Sequence, residues 1–143
     1  MTEQEQRARV VSIARSWIGT PYHHHARLKG IGVDCAQLLC AVFEEAGLVD
    51  HVETGHYPHD WHLHRSEELF LQTLRQFARE CDDGRELAPG DVLVWHFGRT
   101  FSHGSIYVGD GLFAHAYIDL GVVLSRAHEV PLVCRAFKHW SFW

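Results

Sequence analysis

No stretch of this chain carries the roughly 20 consecutive apolar residues that a membrane-spanning helix needs. Its opening, Met1-Thr2-Glu3-Gln4-Glu5-Gln6-Arg7, lacks the basic-then-apolar order of a secretory leader. The expectation is a chain that folds in the cytoplasm, with any action beyond the membrane needing another delivery route. Basic charge is in deficit, 13 Lys and Arg against 18 Asp and Glu, so there is no cationic footprint for nucleic acid. Cysteine is sparse. Cys35, Cys40, Cys81 and Cys134 show no C-x-x-C spacing, which argues against a disulfide framework and against a paired-cysteine zinc site. Cys40, Cys81 and Cys134 lie in apolar patterns and read as buried thiols. Repeats, linkers and low-complexity segments are missing as well. With 143 residues, enough for one core but not two, residues 1–143 are expected to form a single domain.

Histidine is what the chain has in excess. Protonating all 13 would carry the formal charge from −5 to +8, so the surface changes sign on mild acidification.

The apolar pattern has a helical period first and a strand period later. Thr2-Glu3-Gln4-Glu5 fits a capping box, and Val10, Val11, Ala14, Trp17 and Ile18 share one helical face that stops at Gly19. A polar, basic loop with His23-His24-His25 follows. Leu38, Leu39, Val42, Phe43 and Ala46 predict a second helix closed by Gly47. A histidine-rich irregular stretch leads to a third helix, capped by Ser66, that buries Phe70, Leu74, Phe77, Ala78 and Cys81 and ends at Asp82-Asp83-Gly84. Five strands are then predicted at 92–97, 103–108, 112–117, 122–126 and 132–138. Three helices packed on an antiparallel sheet of about five strands is an α+β fold.

The stretch Gly32-Val33-Asp34-Cys35-Ala36-Gln37 organises the chemistry. Asp34 fits an N-cap and Gln37 its capping-box partner. Cys35 then sits in the first helical turn, where unpaired N–H groups and the helix dipole favour a thiolate. Thiol catalysis also needs a base, a group that orients it, and donors for the oxyanion. His103 and His115 lie on consecutive strands. The loop between them is expected to have three residues, with Gly111 left-handed, and to pair Val108 with Leu112, so that His103, Ser105, Tyr107, Phe113, His115 and Tyr117 share one face. A two-residue loop pairing Gly109 with Leu112 would put the two histidines on opposite faces. The Cys35 N–H and Tyr22 are candidate oxyanion donors.

These residues match a known pattern. Gly19-Thr20-Pro21-Tyr22, Val33-Asp34-Cys35, Pro89-Gly90-Asp91-Val92, Ser102-His103-Gly104-Ser105-Ile106-Tyr107-Val108-Gly109 and Phe113-Ala114-His115-Ala116 occur in an order that resembles the NlpC/P60 cysteine peptidases, particularly small phage-type members associated with tail assembly. The resemblance implies a papain-like fold, Cys35 as nucleophile, His103 as base and His115 as the residue orienting it. It also implies that Tyr22, Asp34 and Ser102 serve the oxyanion or the substrate, with no cofactor. The implied substrate is a peptidoglycan stem peptide, cut between D-glutamate and a diamino acid such as meso-diaminopimelate. Phage tail proteins are the implied partners. Two positions depart from the pattern: Gln37 stands where a small residue is usual, and Gly104-Ser105 where Val-Gly is usual.

Two rival readings are carried forward. His59, His62 and His64, near His56, or the His23-His24-His25 run, could hold Zn²⁺, although neither has a specific zinc spacing. Alternatively, the chain is a tail-tip structural protein with the peptidase fold and little activity.

Overall fold

The computed structural model describes residues 1–54 and 69–143. Ser66, His56, His59, His62 and His64 lie outside the described residues.

Helix α1 (Glu3–Ser16) starts as its sequence dictates. Thr2 Oγ1 accepts the Glu5 N–H at 3.1 Å, and the Glu5 carboxylate accepts the Thr2 N–H at 3.3 Å. A two-stranded hairpin, β1 (Arg27–Leu28) and β2 (Gly32–Val33), occupies what reads in sequence as loop. Helix α2 (Cys35–Glu45) ends at Ala46, and Gly47 takes the left-handed conformation at φ +80° that stops a helix without strain. Helix α3 (Leu69–Leu74) is followed by strands β3 (Arg79–Glu80), β4 (Val92–Phe97), β5 (Thr100–Gly109), β6 (Leu112–Tyr117), β7 (Gly121–Arg126) and β8 (Phe137–Ser141). These six strands form one antiparallel sheet in the order β3-β8-β4-β5-β6-β7.

The helices cover one face of this sheet. Val10, Ala14, Leu38, Val42, Phe43 and Leu71 meet Val92, Val94, Ile106, Ala114, Ala116 and Val122 in a single core. Each fully buried aliphatic or aromatic side chain there contributes roughly 1.5–3 kcal/mol. The other face carries a smaller cluster of Leu93, Trp95, Phe113 and Leu132. At one corner, Asp91 accepts from Arg7 at 2.7 Å, bonds His139 Nε2 at 2.7 Å and accepts the Ala88 N–H at 3.0 Å. One buried carboxylate thereby ties α1, β8 and the turn before β4 together.

The α+β expectation stands, and five details are corrected. Among the described residues the sheet has six strands, with a separate hairpin, rather than about five strands. The third helix ends at Leu74, not near Cys81, because Arg79 and Glu80 pair with Ser141 and Trp140 and so extend the sheet. The last strand begins at Phe137 rather than residue 132. Before it, Leu132 and Val133 donate back to Glu129 O, and Cys134 sits at φ +62°, a turn that no strand accommodates. Cys134 is exposed and Cys40 only half-buried, so of the three thiols expected inside, Cys81 alone is buried; none is in a disulfide.

The β5–β6 loop is the fifth correction. Gly109 pairs with Leu112 across a two-residue turn, with Asp110 at φ +57° and Gly111 at φ +74°, not Val108 with Leu112 across three residues. The register shifts between Tyr107 and Gly109, and Tyr107 pairs with Phe113. A bulge at Val108 absorbs one residue, so the six side chains expected on one face share it after all.

Candidate active site

The segment before the cysteine is fixed at both ends. Gly19 N–H donates to Val122 O at 3.0 Å and Val122 N–H to Thr20 O at 2.8 Å. A Cβ on Gly121 would lie 2.5 Å from Thr20 O, so only glycine permits this approach. Val33 N–H donates to Pro21 O and His23 N–H to Val33 O, both at 3.0 Å, which sets Tyr22 beside the start of α2.

Cys35 is the first residue of α2, and its side chain is buried. Asp34 caps the helix: one carboxylate oxygen accepts the Gln37 N–H at 2.8 Å and the other the His25 N–H at 2.7 Å. The expected capping box is only half made. Gln37 Oε1 accepts from Arg27 at 2.8 Å and its Nε2 donates to Thr54 at 2.9 Å. Arg27 also pairs with Glu44 at 2.7 Å, and Glu44 accepts the Val52 N–H at 2.7 Å. The long side chain at position 37 thus joins a polar network under the first turns of α2.

The sulfur meets the sheet where β5 and β6 part. Their ladder runs only from Ile106–Ala114 to Gly109–Leu112. Tyr107 N–H donates toward β4, to Asp91 O, so by alternation the backbones of Ile106, Gly104 and Ser102 face the β6 side. Below Ile106 that edge receives the thiol. Cys35 Sγ donates to Ser102 O at 3.6 Å, and the N–H groups of Gly104, Ala36 and Cys35 itself point at the sulfur. Its two contacts on β5 flank His103. Burial first, and then the Asp34 carboxylate, push the thiol up to about 12 against the opposing pull of those N–H groups. Tyr22 feels the same surroundings: burial and the nearby Cys35 and Asp34 hold its phenol above its ordinary range, protonated and able to donate.

His103 and His115 are brought together. Nε2 of His103 lies 2.9 Å from Nδ1 of His115, the rings edge-on with centroids 5.0 Å apart. His115 is fully buried, and its Nε2 lies 2.8 Å from Ser125 Oγ. Burial lowers its pKa to about 4, so it is neutral at physiological pH. Phe97 and Tyr117 wall the His103 ring at centroid distances of 4.8 and 5.8 Å. Ser102 is buried and meets Cys35 through its carbonyl, while its hydroxyl is 3.5 Å from Thr100 O.

Gly104 and Ser105 account for their own identities. A Cβ at 104 would lie 2.4 Å from Phe70 Cζ and 3.0 Å from Leu39 Cδ2, so the ring of Phe70 takes the room that a larger side chain at 104 would need. Ser105 Oγ accepts the Trp95 indole N–H at 2.9 Å and donates to Leu93 O at 3.1 Å. Ser125 is the site residue that the sequence reading missed. It interrupts the apolar run Val122-Val123-Leu124, and with His115 opposite Val123 it falls on the His115 face. Among the described residues, no group of three or more His, Cys, Asp or Glu could hold a metal ion, and no helix is long and apolar enough to cross a membrane. The candidate ligands His59, His62 and His64 are outside that set.

The model of the NlpC/P60 family matches residues 19–140. The chain belongs to the NlpC/P60 family. A protein of Mycobacterium tuberculosis named "Probable endopeptidase" is 30% identical over 112 residues, 77% of this chain and 23% of that protein. The "Probable endopeptidase NlpC homolog" of Haemophilus influenzae is 26% identical over 132 residues, 92% of this chain and 56% of that one. The chain therefore spans about a quarter to a half of these curated relatives. Among solved structures, NlpC1 of Trichomonas vaginalis superposes with a TM-score of 0.65 at 17% identity, covering 94% of this chain and 44% of that one. The NlpC/p60 domain of the peptidoglycan hydrolase SagA gives 0.60 at 20% identity, over 92% and 96% of the two chains. At these identities the likeness establishes the papain-like α+β fold.

Proposed function

We propose that this chain is a cysteine endopeptidase that hydrolyses peptidoglycan stem peptides at the D-glutamyl–diamino acid bond, meso-diaminopimelate being the diamino acid, as a phage or prophage tail-associated wall hydrolase. The observation that carries the reading is the seating of Cys35 Sγ at a helix start, against the β5 backbone on both sides of His103, whose ring is bonded to His115. Relatives named as endopeptidases and a structural neighbour named as a peptidoglycan hydrolase support the substrate class. The tail-associated setting rests on the resemblance to small phage-type members of the family.

In this mechanism Cys35 attacks the scissile carbonyl carbon and its proton passes to His103 Nδ1, the ring nitrogen opposite the one bonded to His115. The C–S bond forms while the carbonyl π pair moves to oxygen. Tyr22, kept protonated, donates to that oxyanion together with the Cys35 N–H. Asp34 holds the helix start, and the Ser102 carbonyl orients the thiol. Collapse breaks the C–N bond, His103 protonates the leaving amine, and water activated by the same imidazole releases the acid and restores the thiol.

Digestion of purified peptidoglycan with wild type, Cys35→Ala and His103→Gln tests the reading. The expected wild-type product is a fragment ending in D-glutamate that neither variant makes. Equal release by all three would exclude the mechanism. Immunodetection of the chain in purified virions, with release of wall fragments on contact, tests the tail association.

A further inference from the structure

Both nitrogens of His115 are committed, and this fixes a direction for every proton in the array. His103 can accept a proton at Nδ1 only if its own proton resides on Nε2; the imidazolium formed afterwards carries a proton there too. In either state His103 Nε2–H must donate, so His115 Nδ1 must accept across the 2.9 Å contact. A neutral imidazole has one N–H, which must then be on Nε2 of His115, and the one described partner of that nitrogen is Ser125 Oγ at 2.8 Å. The hydroxyl is itself buried on β7.

From this geometry we infer that Ser125 is a positioning residue that fixes the tautomers of His115 and, through it, of His103. The inference rests on the proposed role of His103 as base and extends the array by one residue. Without the hydroxyl, an Nε2–H on His115 would be a buried donor with no acceptor. Moving the proton to Nδ1 relieves that by leaving an under-satisfied acceptor instead, and in folded proteins a buried orphan N–H is the rarer of the two. His115 would then donate to His103 Nε2, and His103 would hold its proton on Nδ1, the nitrogen that has to receive one. The fold would survive and the base would be lost from part of the population.

The test uses the intact chain with ¹⁵N-labelled histidine, and NMR of the ring nitrogens with and without Ser125→Ala and Ser125→Thr. Resonances are assigned by His103→Gln and His115→Gln. In wild type His115 is expected as the Nε2–H tautomer, and His103 is expected to carry a proton on Nε2, whether neutral or as the imidazolium. Ser125→Ala is expected to move both toward Nδ1–H and to lower kcat on peptidoglycan about tenfold with KM unchanged, the size expected for one unmet buried N–H. Ser125→Thr, which keeps a hydroxyl, is expected to restore tautomer and rate. Wild-type tautomers that persist in Ser125→Ala would overturn the inference, as would a wild-type His115 protonated on Nδ1. A tautomer shift in a chain inert on peptidoglycan would support the array and reject the proposed substrate, so the two failures are separable.

Discussion

Gly104 is where packing and chemistry meet, and adding one methyl group there tests both. A Cβ at this position would stand 2.4 Å from Phe70 Cζ, 3.2 Å from Phe70 Cε1 and 3.0 Å from Leu39 Cδ2. No side chain tolerates the first distance, so the ring or the strand must move. Overpacking of this kind costs about 1–3 kcal/mol, or about 3–5 °C in Tm per kcal/mol at this chain length. The cost belongs to the contact with Phe70 rather than to the backbone, because Gly104 lies in an ordinary strand and is not among the glycines with positive φ. Phe70→Leu removes the ring tip and should therefore rescue. In a double-mutant cycle read by urea unfolding, Gly104→Ala/Phe70→Leu is expected to be at least about 1 kcal/mol more stable than the sum of the single variants predicts. Since the Gly104 N–H points at the Cys35 sulfur, Gly104→Ala should also slow Cys35 alkylation, and Phe70→Leu should recover part of that rate. Strict additivity of the two substitutions would refute the packing argument.

Three further outcomes are expected. His115 titrates at about 4 in the folded chain and at its ordinary 6.5 when unfolded, so between those values the unfolded chain binds the extra proton. Stability should fall by about 3 kcal/mol as the pH drops through that window, and His115→Gln should flatten this part of the Tm-versus-pH curve. Asp34→Asn keeps a good N-cap but removes a negative charge that raises the thiol pKa, so the midpoint of Cys35 alkylation against pH should move to lower pH. Asp91→Ala strips Arg7 and His139 of a shared buried carboxylate and should cost about 3–5 kcal/mol in chemical denaturation, while the Cys35 alkylation rate of the folded protein stays at the wild-type value.

Much of the fold was legible because local signals agreed with each other. Thr2 and Glu5 cap α1 as their spacing requires, and Gly47 closes α2. What failed was decided by partners distant in sequence. Nothing in Arg79-Glu80 announces a strand; Ser141 and Trp140 make it one. Gln37 looked like a local capping partner and was claimed by Arg27 and Thr54. The turn between β5 and β6 shows the limit of parity reasoning. A bulge residue has no compositional mark, so Val108 could not be counted from sequence, and the loop length was misjudged by the one residue that the bulge absorbs. The histidines were placed on one face correctly by two offsetting differences. Ser125 was overlooked for a similar reason: one serine in an apolar strand gains meaning only when the register puts it beside His115.

The state of the thiol at rest bears most directly on the proposed chemistry. Burial and Asp34 hold Cys35 at about 12, so independent ionisation would leave only about one thiolate in 10⁵ at pH 7. A nucleophile that depended on that fraction alone would be poorly suited to hydrolysis. The difficulty disappears if sulfur and imidazole ionise together, because the charges then form as a pair and each lowers the other's cost of leaving water. His103 is supported for such a change on its far side, where a neutral His115 can accept its Nε2–H. The two cases separate on one measurement, the rate of Cys35 alkylation against pH in wild type and in His103→Gln. Paired ionisation gives the wild type an alkylation midpoint far below that of the variant, whose thiol retains only burial, Asp34 and the backbone N–H groups. Coincident midpoints near 12 would mean that the imidazole does not assist the sulfur, and the cysteine mechanism would have to be abandoned with the fold intact.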